Sequence, residues 1–258
     1  MLTDDMLGDN LKLGEQAIVD EFERHGSEED KGNLRYVLEG TALKAEDLPP
    51  HIKQQISSKH YHGGTLEVGD FDCGNEGKTL ADFVNHEHSR MAGLLRTHVL
   101  ALRLYTSSSF PCFNRPLRQK MKPHPFAMTV YYLSEGLKKL RAVAAQLDRA
   151  NFTQEVLLWR GMQDLSLDQD EFMRNGGTEL APMSTSKSQS VAFKYAASKS
   201  PLVFKYKTRG LGRGCAIRYL SLYPKEEEYL YPPLTFLLPD RVTQEQGRTV
   251  VEVAPQMS

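Results

Sequence analysis

The chain has 258 residues, enough for one large domain, or for one domain with an extension, around a sizeable core. Its 32 basic and 33 acidic residues argue against a large nucleic-acid or membrane-binding surface. The three cysteines form no CxxC pair, so we expect no disulfide framework and a reducing compartment. No signal-peptide pattern and no run of about 18 apolar residues occurs, so we expect a cytoplasmic protein unless targeting signals have been removed.

Residues 1 to about 75 are polar and rich in turn-forming residues. The segments FERHGSEEDKGN, EDLPPH and KHYHGGTLEVGDFDCGNEG have the composition of loops, with short helical stretches such as LGEQAIVDEF between them. We therefore predict an N-terminal extension over residues 1–75, partly helical and of unknown role, followed by a second domain over residues 76–258.

Two longer helices are predicted next. Between Thr79 and Leu104 apolar residues recur at helical spacing, and Gly93 is a candidate break. The segment FAMTVYYLSEGLKKLRAVAAQL predicts a second helix, from just after Pro125 to near Asp148.

Beyond Asn151 the pattern changes to short β-like segments. These are QEVLLWR, LAPMSTS, SPLVFKYKT, CAIRYLS, EEYLY, LTFLL and TVVEVA, separated by Gly and Pro and interrupted by one helix, SVAFKYAAS. Helices followed by strands predict an α+β fold, with the N-terminal helices packed on a mostly antiparallel sheet.

The histidines limit the chemistry of the strand-rich half. All eight lie at or before His124, so that half cannot hold a Ser-His-Asp or Cys-His site. Two His-x-His pairs lie near one cysteine: His60 and His62, His86 and His88, and Cys73. Their spacing matches no common zinc pattern, so we expect surface histidines and no metal site.

The glycines of TRGLGRGC resemble a phosphate-binding loop only superficially. The segment lacks the Lys-Ser/Thr ending of such a loop, and it leads into a predicted strand instead of a helix. A loose hairpin loop is the better interpretation.

One arginine ends an apolar strand. Arg160 follows Leu157-Leu158-Trp159 and precedes Gly161. A guanidinium is always charged, and its planar fork suits phosphate or carboxylate, so at a strand end it can face a cleft. A structural ion pair would explain this arginine equally well.

Three small hydroxyl residues end the next strand. They lie in the segment Ala181–Ser186, APMSTS, and could donate hydrogen bonds to a ligand or a carboxylate. The following helix carries Phe193 and Tyr195, either of which could stack on a flat ring. An ordinary helix N-cap would also explain the hydroxyls.

The segment KEEEYLYPP contains three consecutive carboxylates, Glu226, Glu227 and Glu228. If residues 226–231 form a strand, Glu226 and Glu228 share one face and Glu227 points to the other. Two carboxylates on one face repel, which raises the pKa of one of them and separates their roles. On its own, the segment would be interpreted as a solvated charge run.

In this order, the arginine, Ser-Thr-Ser and Glu-x-Glu elements resemble the R-S-E class of mono-ADP-ribosyltransferases. The aromatic-x-x-Glu-x-Glu turn from Tyr223 to Glu228 adds to the resemblance. Further upstream, Tyr105-Thr106, Asn114 and Leu117-Arg118 resemble the family's Asn-x-x-x-Arg segment, although the spacing from Thr to Asn is about one residue longer than in some bacterial toxins. The resemblance covers about residues 79 to 240.

The resemblance implies a split, mostly antiparallel β-sandwich that binds NAD+ as a substrate, with no metal. Arg160 would pair with the pyrophosphate, and Gly161 would offer backbone groups to the nicotinamide. Tyr195 is slightly favoured over Phe193 for stacking on the nicotinamide ring. The implied NAD+-binding residues are Arg160, Gly161, Asn114, Arg118, Thr106, Ser184, Thr185, Phe193 and Tyr195.

The resemblance also implies the catalytic roles of four residues, Glu228, Glu226, Ser184 and Arg160. Glu228 would stabilise the cation that develops on the ribose, held by a hydrogen bond from Ser184, and Glu226 would direct transfer to an arginine. Tyr223 would meet the protein substrate, although an aromatic that merely packs the turn is the alternative. The implied partners are NAD+ and a target protein bearing an arginine, with no nucleic acid and no membrane, and we expect a monomer.

Two other functions remain open. The first is an NAD+ glycohydrolase, or an enzyme that modifies itself, which would use the same residues for the bond cleavage. The second is an inactive binding module with the same fold, which would typically have lost the arginine or the last glutamate. Both are present here, as Arg160 and Glu228.

Overall fold

The computed structural model describes residues 14–57, 68–162, 169–196 and 202–257, which form two compact units. The helical unit consists of the described parts of Met1–Ser57, Leu66–Val143 and Tyr219–Pro224. The strand unit consists of the described parts of Ala144–Arg218 and Lys225–Ser258. The predicted His60-x-His62 pair lies outside the described residues.

Eight helices build the helical unit. They are α1 (Glu15–His25), α2 (Glu28–Glu39), α3 (Pro50–Ser57), α4 (Leu80–Asn85), α5 (Glu87–Met91), α6 (Arg96–Tyr105), α7 (Phe110–Arg118) and α8 (Ala127–Ala142). The Phe22 ring of α1 packs edge-on against Phe113 and Phe126, with centroids 6.0 and 5.2 Å apart. The described part of the predicted extension therefore shares one core with the later helices, and the described residues on either side of residue 75 belong to the same unit.

Helix α2 lies where a loop was predicted from EEDKGN. Its N-terminus has a capping box, in which the Asp30 amide donates to Ser27 Oγ at 3.2 Å and the Ser27 amide donates to Asp30 Oδ2 at 2.9 Å. The loop prediction was wrong because it weighed the polar composition and missed the Ser-x-x-Asp signal.

The break predicted at Gly93 is confirmed, and this glycine has a φ of 60°. A second break lies at His86, whose Nδ1 accepts the amide of His88 at 3.2 Å and so caps α5. The later helix α8 ends at Ala142, and a separate short helix, α9 (Ala144–Leu147), follows in the strand unit.

The strand unit contains one eight-stranded sheet and two further helices. The strands are β1 (Val156–Met162), β2 (Gly177–Glu179), β3 (Met183–Ser186), β4 (Leu202–Thr208), β5 (Cys215–Ala216), β6 (Glu228–Tyr231), β7 (Thr235–Glu245) and β8 (Arg248–Gln256), with α10 (Gln169–Asn175) and α11 (Gln189–Tyr195). Their order is β2-β7-β8-β4-β1-β3-β6-β5, and β4 and β8 form the parallel pair while the other neighbours are antiparallel. The predicted α+β class with a mostly antiparallel sheet is confirmed.

Strands β1 and β3 are joined by a single residue pair, Trp159 with Ser186. By contrast, β1 pairs with β4 along its whole length, from Val156 to Met162. The single pair leaves β3, β6 and β5 as one group of strands and the other five strands as a second group. The sheet is thus nearly split between β1 and β3.

The segment TRGLGRGC is not a hairpin loop. Gly210–Arg213 forms a 3-10 helix, and β5, which follows it, pairs with β6 instead of β4. The buried Arg213 guanidinium pairs with Asp148 at 2.8 Å and donates to the Phe152 carbonyl at 3.2 Å. The hairpin prediction was wrong, because it considered the glycines and not this arginine.

Buried side chains cover both faces of the sheet. One cluster includes Leu158, Met183, Phe204, Tyr206 and Tyr231, and the other packs α11 on β1 and its neighbours around Trp159, Ala192, Phe193 and Val250. Among the helices of the described residues, none combines the length and apolar character needed to cross a membrane.

Candidate active site

Arg160 lies where β1 and β3 separate. Its Nη1 donates to the carbonyl of Ser184 at 2.9 Å, and its Nη2 is 4.0 Å from Oε2 of Glu179. Its buried Nε has no hydrogen-bond partner among the described residues. The guanidinium therefore spans the gap in the sheet with only a distant carboxylate to offset its charge, an arrangement that can accept an anionic ligand.

Gly161 is required by the packing of α11. A Cβ at this position would lie 1.9 Å from the carbonyl oxygen of Ala192 and 2.7 Å from the amide of Ala196, both of which are backbone atoms. Glycine thus lets α11 cross β1 at close range. The contact predicted between the Gly161 backbone and nicotinamide remains a prediction.

The Ser-Thr-Ser segment pairs with the strand of the last glutamate. Ser184 lies opposite Leu230, and Ser186 lies opposite Glu228. Directly opposed residues share a face, so it is Ser186 that directly neighbours Glu228, and Ser184 lies two residues further along the same face. Thr185 Oγ1 donates to the Tyr229 carbonyl at 2.9 Å, which ties β3 to β6.

Sequence reasoning missed the role of Ser186. Its hydroxyl donates to the backbone carbonyl of Glu226 at 2.6 Å and accepts the amide of Ser188 at 2.9 Å. The last hydroxyl of the Ser-Thr-Ser segment therefore anchors the turn that carries the first glutamate. The alternating pattern of strand residues could have indicated it, because Ser184 and Ser186 lie on one face.

The strand predicted over residues 226–231 begins two residues later. Glu226 ends a 3-10 helix (Pro224–Glu226), Glu227 has a φ of 47°, and β6 starts at Glu228. Strand alternation is therefore not what brings Glu226 and Glu228 together. A left-handed residue between a 3-10 turn and a strand places them near each other instead.

The two carboxylates still influence each other. Burial, and next the negative charge of Glu228, raise the pKa of Glu226 to about 7, against a hydrogen bond from Tyr195 and the positive charge of Lys194 that lower it. The Glu228 side chain is itself only 7% exposed. Glu226 thus changes charge near neutral pH, where a general base is most useful.

The two candidate stacking residues lie in different surroundings. Phe193 is buried against Trp159, with ring centroids 6.3 Å apart, and the Arg248 guanidinium lies 4.8 Å from its ring centroid. Tyr195 is partly buried, and its hydroxyl donates to Oε1 of Glu226 at 3.0 Å. Phe193 belongs to the core, and Tyr195 is the aromatic beside the carboxylates.

The predicted upstream contacts lie in the helical unit. Asn114 is buried in α7, its Nδ2 donates to the Tyr105 hydroxyl at 3.2 Å, and its Oδ1 has no hydrogen-bond partner among the described residues. Arg118 ends the same helix and is exposed. Thr106 Oγ1 donates to the Arg103 carbonyl at 2.8 Å and accepts the amide of Leu222 at 3.1 Å. The Thr106 hydroxyl is therefore engaged within the helical unit.

Tyr223 is buried, and its ring packs edge-on against Phe71 with centroids 5.4 Å apart. This position fits the alternative in which the aromatic packs the turn. The contact predicted between Tyr223 and a protein substrate remains a prediction.

A buried ion pair that sequence reasoning missed anchors the segment Tyr219–Pro224, which leads into the glutamates. Arg103 and Asp72 approach to 2.6 Å, and their side chains are only 1% and 3% exposed. Arg103 Nη1 donates to the Leu220 carbonyl at 3.0 Å, and the Asp72 amide donates to the Leu222 carbonyl at 2.7 Å. An arginine inside the apolar run VLALRLY was the available signal, because buried arginines need partners.

The fold is that of ADP-ribosyltransferases. HopU1, an ADP-ribosyltransferase of Pseudomonas syringae pv. tomato DC3000, is similar with a TM-score of 0.53 at 15% identity, over 89% of this chain and 98% of that one. Vis toxin, an ADP-ribosyltransferase from Vibrio splendidus, gives 0.52 at 16%, over 69% and 82%. An ADP-ribosyltransferase from Clostridium botulinum gives 0.50 at 18%, over 67% and 92%.

Residues 75–256 match the family described as NAD:arginine ADP-ribosyltransferases, and the chain belongs to that family. This confirms the family resemblance found in the sequence. No curated protein sequence is significantly similar to the chain. Membership of the family supports ADP-ribosyltransferase activity with NAD+ as the substrate.

Proposed function

We propose that the protein is a mono-ADP-ribosyltransferase that cleaves NAD+ at the nicotinamide–ribose bond and transfers the ADP-ribose to an arginine of a target protein. The observation that carries the proposal is the pair Glu226 and Glu228, whose carboxylates are close enough that the charge of one raises the pKa of the other. Glu228 begins β6, directly across from Ser186 of the Ser-Thr-Ser strand, and Glu226 ends the 3-10 turn just before it.

Glu228 would act in the cleavage step. As the bond between ribose C1′ and the nicotinamide nitrogen breaks, nicotinamide leaves with the bonding electrons and positive charge develops on the ribose. A buried carboxylate near the 2′-hydroxyl stabilises this charge more in the transition state than in the ground state. Arg160 would hold the pyrophosphate, since its guanidinium is only partly compensated by Glu179.

Glu226 would act in the transfer step. A guanidinium nitrogen of the acceptor forms a bond to C1′ and must lose one proton, although an arginine in water holds its proton until very high pH. A pKa of about 7 makes Glu226 a carboxylate for much of the time at neutral pH and a better base than an ordinary glutamate. The acceptor's proton would pass to this carboxylate as the new bond forms.

The proposed partners are NAD+ and a target protein with an accessible arginine, and the proposed setting is a monomer in the cytoplasm.

The test is an incubation with labelled NAD+, a cell lysate and agmatine, a small arginine analogue, beside a Glu228→Ala variant. We expect labelled agmatine or protein with the wild type and none with the variant. Release of nicotinamide without labelled acceptor would indicate an NAD+ glycohydrolase, and label on the enzyme alone would indicate self-modification. No release of nicotinamide under any condition would indicate an inactive module and overturn the proposal.

A further inference from the structure

Tyr195 occupies a fixed position beside the carboxylate pair. It is the last residue of α11, and this helix is held on β1 at close range because Gly161 has no side chain to meet Ala192 and Ala196. The N-terminus of α11 is capped by Ser188, whose hydroxyl accepts the amide of Val191 at 3.4 Å. The helix therefore delivers the Tyr195 hydroxyl to a defined point, 3.0 Å from Oε1 of Glu226.

The backbone of Glu226 is also fixed in position by a hydrogen bond. Its carbonyl accepts the Ser186 hydroxyl at 2.6 Å, so the turn that carries it is attached to β3. The charged groups that act on its carboxylate are Glu228, which is negative, and Lys194, which is positive. Between these opposite influences, the Tyr195 hydroxyl is a neutral donor that favours the ionised form by a hydrogen bond.

We propose that Tyr195 is a positioning residue whose hydroxyl orients Glu226 and keeps it ionised to receive the acceptor's proton. The proposal rests on the arginine-transfer function proposed above. This proposal assigns different roles to the two parts of the Tyr195 side chain. The ring could stack on nicotinamide, while the hydroxyl acts in the acceptor step. Replacing Tyr195 by Phe removes the hydroxyl and keeps the ring.

The hydroxyl lowers the pKa of Glu226, so its removal should raise that pKa further. Transfer to arginine needs the ionised carboxylate, and the acidic limb of its pH profile should therefore move to higher pH. For a lost neutral hydrogen bond, we expect transfer to agmatine at pH 6 to fall about three- to tenfold. NAD+ hydrolysis without acceptor depends on Glu228, so we expect it to fall less than transfer does.

The experiment compares wild type, Tyr195→Phe, Glu226→Gln and the double variant in agmatine transfer and NAD+ hydrolysis between pH 5 and 9. In Glu226→Gln, the added loss of the Tyr195 hydroxyl should have no further effect on transfer, because its partner can no longer ionise. Tyr131→Phe, at a tyrosine of α8 that is 37% exposed, is the matched control and should leave both profiles unchanged.

A second readout does not depend on activity. In NAD+-free protein with carbon-13 in the glutamate carboxyls, the Glu226 resonance is assigned by its loss in Glu226→Gln and titrated by NMR. We expect it to titrate at higher pH in Tyr195→Phe than in the wild type. An unchanged Glu226 titration together with an unchanged transfer profile would overturn the positioning role. Failure of the wild type to modify agmatine would instead overturn the proposed function, while the NMR titration would still test the hydrogen bond.

Discussion

Two glutamates of the strand unit, Glu226 and Glu252, have opposite surroundings. Glu252 lies on β8, is only 1% exposed, and accepts contacts from Lys205 at 3.0 Å, Lys207 at 2.8 Å and Arg241 at 2.9 Å. The hydrogen bond from Arg241 is the largest cause that lowers its pKa, to about 2. Glu226 has a second carboxylate as its neighbour, and its pKa is raised to about 7.

The difference separates a carboxylate that stays ionised from one that can change charge near neutral pH. Three cations keep Glu252 ionised down to acidic pH, so it joins β4, β7 and β8 but does not exchange protons near neutrality. Burial and a like charge leave Glu226 near its point of half-ionisation at pH 7. Burial of a carboxylate alone therefore does not indicate an active site. The sign of the neighbouring charge determines whether the buried carboxylate stays ionised or changes charge near neutral pH.

The largest effect is expected at Glu228, the last of the three consecutive glutamates that begin with Glu226. Glu228→Gln keeps the size of the side chain and removes the charge that would stabilise the ribosyl cation, so nicotinamide release should fall at least about 10²–10³-fold. The affinity for NAD+, measured by calorimetry, should stay within about threefold, because the charge matters mainly in the transition state.

Glu252→Gln is the matched control for the Glu228 prediction, since it also neutralises a buried glutamate of the same sheet. Its nicotinamide release per folded molecule should stay within about twofold of the wild type. A Glu228→Gln enzyme that kept a tenth of the wild-type rate would contradict the catalytic role of Glu228.

The next largest effect concerns the acceptor step. Glu226→Gln should reduce transfer to agmatine about 10²-fold, because the base is lost, while NAD+ hydrolysis stays within a few-fold. In the wild type, transfer should rise as pH increases through about 7, because the proposed base is the carboxylate form of Glu226. The measurement is a pair of pH profiles, one with agmatine and one without. An equal loss of transfer and of hydrolysis would contradict the assignment of Glu226 to the transfer step and Glu228 to the cleavage step.

The strands that carry the candidate site could be predicted from sequence, because their apolar and hydroxyl residues form recognisable strand patterns. Arg160, Ser184 and Glu228 each lie in or at the start of a short strand, and the sheet pairs β1 with β3 and β3 with β6. Strand periodicity also predicted most of the sheet. These features depend on local patterns, which a sequence displays directly.

The remaining features depend on contacts between distant segments. No local pattern indicates that the carbonyl bound by Ser186 would be that of Glu226, that Tyr195 would donate to the same residue, or that Asp72 would be the partner of Arg103. The start of β6 at Glu228 was also hidden, because three consecutive glutamates carry no turn signal, although Glu227 has a φ of 47°.

A smaller effect, on stability, should have opposite signs at the two glutamates. The folded-state pKa of Glu252 lies below its ordinary value of 4.5, so its stabilisation is present above that pH and is lost as the pH falls towards 2. Glu252→Gln should cost about 1–3 kcal/mol at pH 7, with allowance for the exposure of Arg241 and Lys207. Urea unfolding at several pH values measures this.

For Glu226 the sign is reversed. Its folded-state pKa lies above 4.5, so the unfolded state ionises first and stability falls as the pH rises from about 4.5 to about 7. Glu226→Gln should therefore stabilise the protein at pH 8, by about 1–2 kcal/mol, and have little effect below pH 4. The same sign of change for both Gln variants at pH 8 would contradict the contrast between the two environments.

The smallest effect is expected at Glu227, between the two reactive carboxylates. Its side chain is exposed, and its contact with Arg218 is 3.9 Å long between groups that are 47% and 67% exposed, so the pair contributes little. Glu227→Ala should leave both activities within about twofold and stability within about 0.5 kcal/mol. Glu227→Gly should stabilise slightly, because glycine adopts a φ of 47° without strain, whereas a β-branched Glu227→Val should destabilise. Loss of agmatine transfer in Glu227→Ala as large as in Glu226→Gln would mean that charge anywhere in this turn supports the reaction, and that the environment of Glu226 is not what distinguishes it.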